Sequence, residues 1–176
     1  MSARIRLALP LSIALFVLAP GCGYRVVGRT SSLPPNVKTI AVLALENRTL
    51  HYRIEQRMTG ALVHEFLTRA KYRIVSDAEG ADAVLTGQIT GLESNAVLFD
   101  AATGRATTIL VTVRCEVLLE DRSTKKALYR NDNFLFRNEY EISTDLNSFF
   151  EEQDPALDRL ARDFASRIVA AILENF

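Results

Sequence analysis

The strongest constraint on this chain's fold is an alternation. Ile109, Val111, Val113, Cys115, Val117 and Leu119 occupy one parity, and Thr108, Leu110, Thr112, Arg114, Glu116 and Leu118 the other. Successive side chains of a strand point to opposite faces, so this run predicts a long strand with one buried face and one face mixed enough to meet water or a partner. A single strand cannot satisfy its backbone groups and needs neighbours. Ala83, Leu85 and Ile89 against Thr86 and Gln88 predict one over 83–89, weakened locally by Gly87. The polar stretch 121–126 predicts a hairpin into another, carrying Leu128, Phe134, Phe136, Tyr140 and Ile142. Arg130, Asp132 and Asn138 interrupt that strand, so it should be bulged in its middle. Cys115 lies in the apolar row and reads as core.

Before this block, Val37 to Leu45 is almost continuously apolar and rich in branched residues, which predicts a strand buried on both faces. Glu46 to Thr49 are turn formers. Ile54, Met58, Ala61, Leu62 and Phe66 then recur at helical spacing, predicting a helix from near His51 to Ala70. Gly60 inside it would be costly unless close packing needs it. A short strand is expected over 72–75.

After the block, Asp154 and Pro155 read as N-cap and first position of a second helix. Its apolar stripe is Leu157, Leu160, Ala161, Phe164, Ile168, Ala171 and Ile172, and the pairs Asp158–Arg162 and Asp163–Arg167 stand at favourable spacing on its wet side. Two one-sided helices and one sheet bury their stripes most simply when both helices lie on the same sheet face. The expected fold is therefore α+β, a two-layer sandwich with two helices packed on one face of a mostly antiparallel sheet of about four strands. It forms a single domain over 37–176, with its second sheet face uncovered.

The N-terminus is of another kind. Arg4 and Arg6 precede an apolar run of 13 residues from Leu7 to Ala19, too short for the roughly 20 a membrane-spanning helix needs but right for a cleaved export signal. The following Pro20-Gly21-Cys22 resembles the lipobox of bacterial lipoproteins, which implies cleavage after residue 21, acylation of Cys22 and a tethered linker over 22–36 that ends at Pro34-Pro35. An ordinary secretory signal cut near Ala19 or Gly21 is the alternative. Two or more acyl chains would hold the domain on a membrane, where one chain binds only marginally. Without Arg4 and Arg6 the chain carries 19 basic and 21 acidic residues, a balance that argues against general nucleic-acid binding. With Cys22 acylated, Cys115 has no disulfide partner in the chain.

Catalytic constellations are missing. His64-Glu65 starts like a zinc-protease helix, but Thr68 replaces the second histidine. The glycines lack dinucleotide or phosphate-loop spacing, and no nucleophile elbow occurs. Glu151, Glu152 and Asp154 read as acidic complements to a helix N-terminus. No metal or cofactor other than the covalent lipid is expected. Arg122, Lys125 and Lys126 at the hairpin, with Arg130 near and Arg105 beside the preceding turn, are the candidate anion site.

Taken in order, Gly21-Cys22-Gly23-Tyr24-Arg25, Lys38-Thr39-Ile40-Ala41-Val42, Asn47-Arg48-Thr49, Ala81-Asp82-Ala83-Val84-Leu85 and Arg137-Asn138-Glu139-Tyr140 resemble the LptE family of lipopolysaccharide-assembly lipoproteins. The resemblance implies a non-enzymatic outer-membrane lipoprotein facing the periplasm. It would plug the LptD β-barrel, support its assembly in lipopolysaccharide insertion, and contact lipopolysaccharide through basic residues, for which Arg105, Arg122, Lys125 and Lys126 are the candidates. The segment 39–49 also resembles the opening of CsgG-like and LpoB-like envelope lipoproteins, which build secretion pores or activate peptidoglycan synthases. Those alternate more helices with strands, whereas this chain has one long extended block between two helices.

Overall fold

The computed structural model describes the backbone of residues 33–141 and 146–174, and the side chains of 33–141 and 155–174. The leader over 1–21, Cys22, most of the expected linker, Ile142, and the side chains of Glu151, Glu152 and Asp154 lie outside these described residues. In chain order the elements are β1 (Thr39–Val42), β2 (Glu46–Asn47), α1 (Ile54–Arg69), β3 (Arg73–Val75), β4 (Ala83–Phe99), β5 (Ala106–Asp121), β6 (Ala127–Glu141) and α2 (Leu146–Glu174).

The sheet runs β3-β1-β4-β5-β6, with β2 set beside β4, giving six strands. The long block is antiparallel, with Cys115 opposite Ile89 on one side and Phe134 on the other. The expectation of about four mostly antiparallel strands is corrected here, because β1 pairs parallel with both β3 and β4, and β2 pairs parallel with β4. The reason lies in the connection that leads from β1 through α1 to β3. A strand linked to its neighbour through a helix returns in the same direction, and a parallel strand with cover on both faces is apolar throughout; Ile40, Ala41 and Val42 are all buried. Glu46-Asn47, expected as turn, adds a two-residue pairing with Gln88 and Ile89.

Both helices lie on one face. From α1, Ile54, Met58, Leu62 and Phe66 enter the core; from α2, Leu160, Phe164, Ile168 and Ile172 do so. They meet Ile40, Val42, Leu85, Ile89, Val113, Cys115, Val117, Leu119 and Phe136 from the sheet. Phe164 sits edge-on to both Phe134 and Phe136, with centroids 6.0 and 6.1 Å away. Leu33, at the start of the described chain, joins this core, and the turn behind it closes by the Val37 N–H donating to the Pro34 carbonyl at 3.0 Å. The predicted bulge in β6 is present, where the register slips between Cys115 and Val117.

Three further expectations give way. The helix start at Asp154-Pro155 is replaced by one at Leu146, with Pro155 inside α2. Asp-Pro is a local capping signal, and here the preceding residues continue the helix through the lost N–H of the proline. Gly60 is exposed and a Cβ there would meet nothing within 4 Å, so close packing does not explain it. Asp158 forms its ion pair with Arg57 of α1 at 2.6 Å, and Asp163 accepts from Asn138 Nδ2 at 2.9 Å. Those acids bind α2 to neighbouring elements, a use that spacing along one helix cannot reveal.

Candidate functional site

The basic hairpin is built on two carboxylates. Asp121 ends β5, buried at 5% exposure, and its Oδ1 accepts from the Ser123 N–H and the Thr124 N–H, both at 2.9 Å, and from the Ser123 hydroxyl at 2.7 Å. Asn36 Nδ2 reaches Oδ2 at 3.5 Å. Asp82 accepts from the Lys38 and Thr39 N–H groups at 2.8 and 2.9 Å, while its carbonyl accepts from the Arg122 N–H at 2.9 Å. Donors aimed at a carboxylate favour its charged form. The Ser123 hydroxyl and the backbone N–H groups therefore hold Asp121 well below the ordinary carboxylate range, and the Lys38 and Thr39 N–H groups lower Asp82.

This lattice fixes the hairpin carrying Arg122, Lys125 and Lys126. Lys125 takes a left-handed backbone at φ 57° and pairs with Glu120 at 3.4 Å. Arg130 lies further along β6, paired with Asp132 at 2.9 Å. Arg105 is elsewhere: it closes the β4–β5 loop, its carbonyl accepting from the Asp100 N–H at 2.8 Å. That loop sits at the opposite end of β5, and the 16 residues of the strand put about 50 Å between the two ends. The structure thus groups Arg122, Lys125 and Lys126 and separates Arg105 from them. The long strand expected from the 108–119 alternation is what sets them apart.

The second candidate surface is the outer sheet face. Both described helices pack on the other side, and Thr86, Gln88, Glu116, Leu118 and Arg130 line an open depression of about 400 Å³ with Glu46 and Arg48 at its rim. Its charges are largely paired locally. Arg48 meets Glu46 at 2.9 Å, Gln88 donates to Glu116, and Arg114 pairs with Glu93. Leu135 on this face is 45% exposed. Such a surface is polar, nearly neutral and suited to a wide, wet contact.

Cys115 is buried, and burial pushes its thiol up to about 12, with Glu116 adding to the effect. Among the described residues no three His, Cys, Asp or Glu side chains gather as a metal site, and no helix is long and apolar enough to cross a membrane.

One feature escaped the sequence reading. Leu50 and Tyr52, in the loop before α1, are almost fully exposed. The signal was Asn47, whose side chain holds that loop, but Asn47-Arg48-Thr49 read only as a turn.

A family model described as LptE, lipopolysaccharide-assembly, matches residues 37–172. No curated protein matches. Among solved structures, the rare lipoprotein B from Shewanella oneidensis is 16% identical, covering 77% of this chain and 93% of that one at a TM-score of 0.48. The uncharacterized lipoprotein B from Nitrosomonas europaea is 15% identical, covering 87% and 96% at 0.48. The PelC dodecamer from Paraburkholderia phytofirmans is 14% identical, covering 82% and 95% at 0.50. At 14% identity the likeness to PelC is one of fold alone.

Proposed function

Since the chain belongs to the LptE family of lipopolysaccharide assembly, we propose that it is an outer-membrane lipoprotein, tethered through Cys22 on the periplasmic side, that plugs an LptD-like β-barrel and supports its assembly. The observation that carries this reading is the outer sheet face. Two helices pack on one side of the sheet, while the other offers paired charges and half-buried apolar groups along β4 to β6, with neither described helix upon it. The lumen of a large membrane barrel is polar, and a body whose charges are neutralised locally enters it without strong repulsion. Its work is that of shape and contact, with no reaction.

Lipopolysaccharide contact belongs to the basic hairpin. Arg122, Lys125 and Lys126 stand together on a tip braced by Asp121 and Asp82, and cations on a rigid tip suit phosphate groups. Arg105 would act separately, at the far tip.

Co-purification from membranes tests the proposal. A stable one-to-one complex with a large β-barrel is expected; a self-assembled ring, or a peptidoglycan synthase in place of the barrel, refutes it. Replacing Arg122, Lys125 and Lys126 by alanine should weaken lipopolysaccharide capture with the barrel complex intact, and unchanged capture removes that assignment.

A further inference from the structure

Between β2 and α1 the chain presents apolar groups that its own fold does not use. Leu50 is 103% exposed and Tyr52 83%. Yet the loop holding them is braced throughout. Asn47 Oδ1 accepts from the Thr49 N–H at 2.9 Å and from its hydroxyl at 2.8 Å. Asn47 Nδ2 donates to the His51 carbonyl at 2.8 Å and to Glu55 Oε2 at 2.9 Å, and the His51 N–H donates to Thr49 Oγ1 at 3.2 Å. Arg53 adopts φ 57°, which side chains rarely take, and lays its guanidinium 4.9 Å from the Tyr52 ring centroid. A cavity of about 530 Å³ opens beside these side chains.

We propose that loop 48–53 is a pre-shaped anchor, with Leu50 and Tyr52 seated in an apolar pocket of the barrel partner and Arg53 against a carboxylate at the pocket's rim; this rests on the reading of the chain as a barrel plug. Three observations favour a protein occupant. Fixing a loop in advance removes the ordering cost of docking into a shaped pocket, whereas fluid lipid rewards no particular shape. Tyrosine and arginine around an aliphatic residue are the residues that dominate protein interfaces when buried. Over 46–55 the charges balance, Glu46 and Glu55 against Arg48 and Arg53, and Arg48 is engaged by Glu46, so no polybasic patch draws the loop to anionic lipid. A second copy docking through the same loop would bring Arg53 toward Arg53.

The test uses the full chain, co-expressed with its barrel partner and affinity-tagged, and follows loss of the barrel during washing. The variants are Leu50→Ser with Tyr52→Ser, Arg53→Glu alone, and Leu67→Ser as a control at an exposed position of α1. Wild type and the control should retain the barrel. The double variant should release it at least about tenfold faster and Arg53→Glu should also release it faster, each with an unchanged urea midpoint for the free chain. Equal release by wild type and the double variant overturns the anchor while leaving the plug reading standing. If wild type itself holds no barrel, the plug reading fails and the anchor with it. Loss of binding to phosphatidylethanolamine–phosphatidylglycerol vesicles, or of self-association, with the barrel retained would assign the loop to lipid or to a second copy and equally overturn the proposal.

Discussion

Two glycines, alike in sequence, should respond in opposite directions to the same added methyl group. A Cβ at Gly87 would stand 2.6 Å from the Glu116 carbonyl oxygen and 3.0 Å from Leu45 Cδ2. The Leu45 methyl can rotate aside, but the carbonyl belongs to the backbone of β5 and can yield only if the β4–β5 ladder opens. Overpacking of this sort costs about 1–3 kcal/mol, offset by the roughly 0.4–1 kcal/mol that alanine gains through a less free unfolded chain. Gly87→Ala should therefore destabilise by about 1–2 kcal/mol. At Gly60 a Cβ meets nothing within 4 Å, and the residue lies within α1 on the exposed side. Gly60→Ala should stabilise by about 0.8–1 kcal/mol, the helix-propensity difference. Urea denaturation of residues 22–176 carrying Cys22→Ser measures both, with the midpoint moving and the slope constant. A neutral or stabilising Gly87→Ala refutes the packing argument, and a destabilising Gly60→Ala refutes the open-space one.

Phe164→Ala should destabilise by about 3–5 kcal/mol, since it empties a fully buried site between two edge-on rings; a loss under about 1 kcal/mol by calorimetry would show that the rings collapse to refill it. In folded Cys22→Ser protein, Cys115 should resist maleimide at pH 8 and react once urea unfolds the chain, because its thiol is buried and pushed up to about 12; rapid labelling of the folded form contradicts its place in the core. Stability should be level near neutrality and fall at both extremes. Asp82, Asp100 and Asp121 are lowered in the folded state, so their contribution is complete above the ordinary value of 3.8 and is lost as pH falls through the depressed values. Cys115 and Tyr140 are raised to about 12 by burial, so theirs is lost as pH rises from their ordinary values toward that figure. Asn replacement of Asp121 should flatten the acid limb, and an unaltered limb removes Asp121 from the account.

The parts legible in sequence were those whose burial imposed a period. The β5 alternation, the α1 stripe of Ile54, Met58, Leu62 and Phe66, and the slip within β6 all appear where their residues placed them. The second half of β4 carried no such signal. Residues 93–99 are exposed, so neither parity is selected to be apolar, and the strand is recognisable only through its pairing with β5. Parallel pairing of β1 was equally hidden, because a doubly buried run records cover and not direction. At the candidate site, residue types identified the basic hairpin, but grouping Arg105 with it by charge overlooked the length of the strand between them. Asp121 read only as the start of a turn, which its bonds to Ser123 and Thr124 bear out, while the bracing role of Asp82 was hidden because its partners Lys38 and Thr39 are remote along the chain.

β1 is flanked on both sides by strands made later, β3 and β4, and the core above them is closed by Leu160 through Ile172 of α2. A chain emerging N-terminus first therefore has no early portion able to complete its own interior, and long-separated contacts of this kind form late. Maturation is timed by the tail: a premature stop just before Leu160 would remove Leu160, Phe164, Ile168 and Ile172 from the core and yield an unsealed body open to proteases and holdase chaperones.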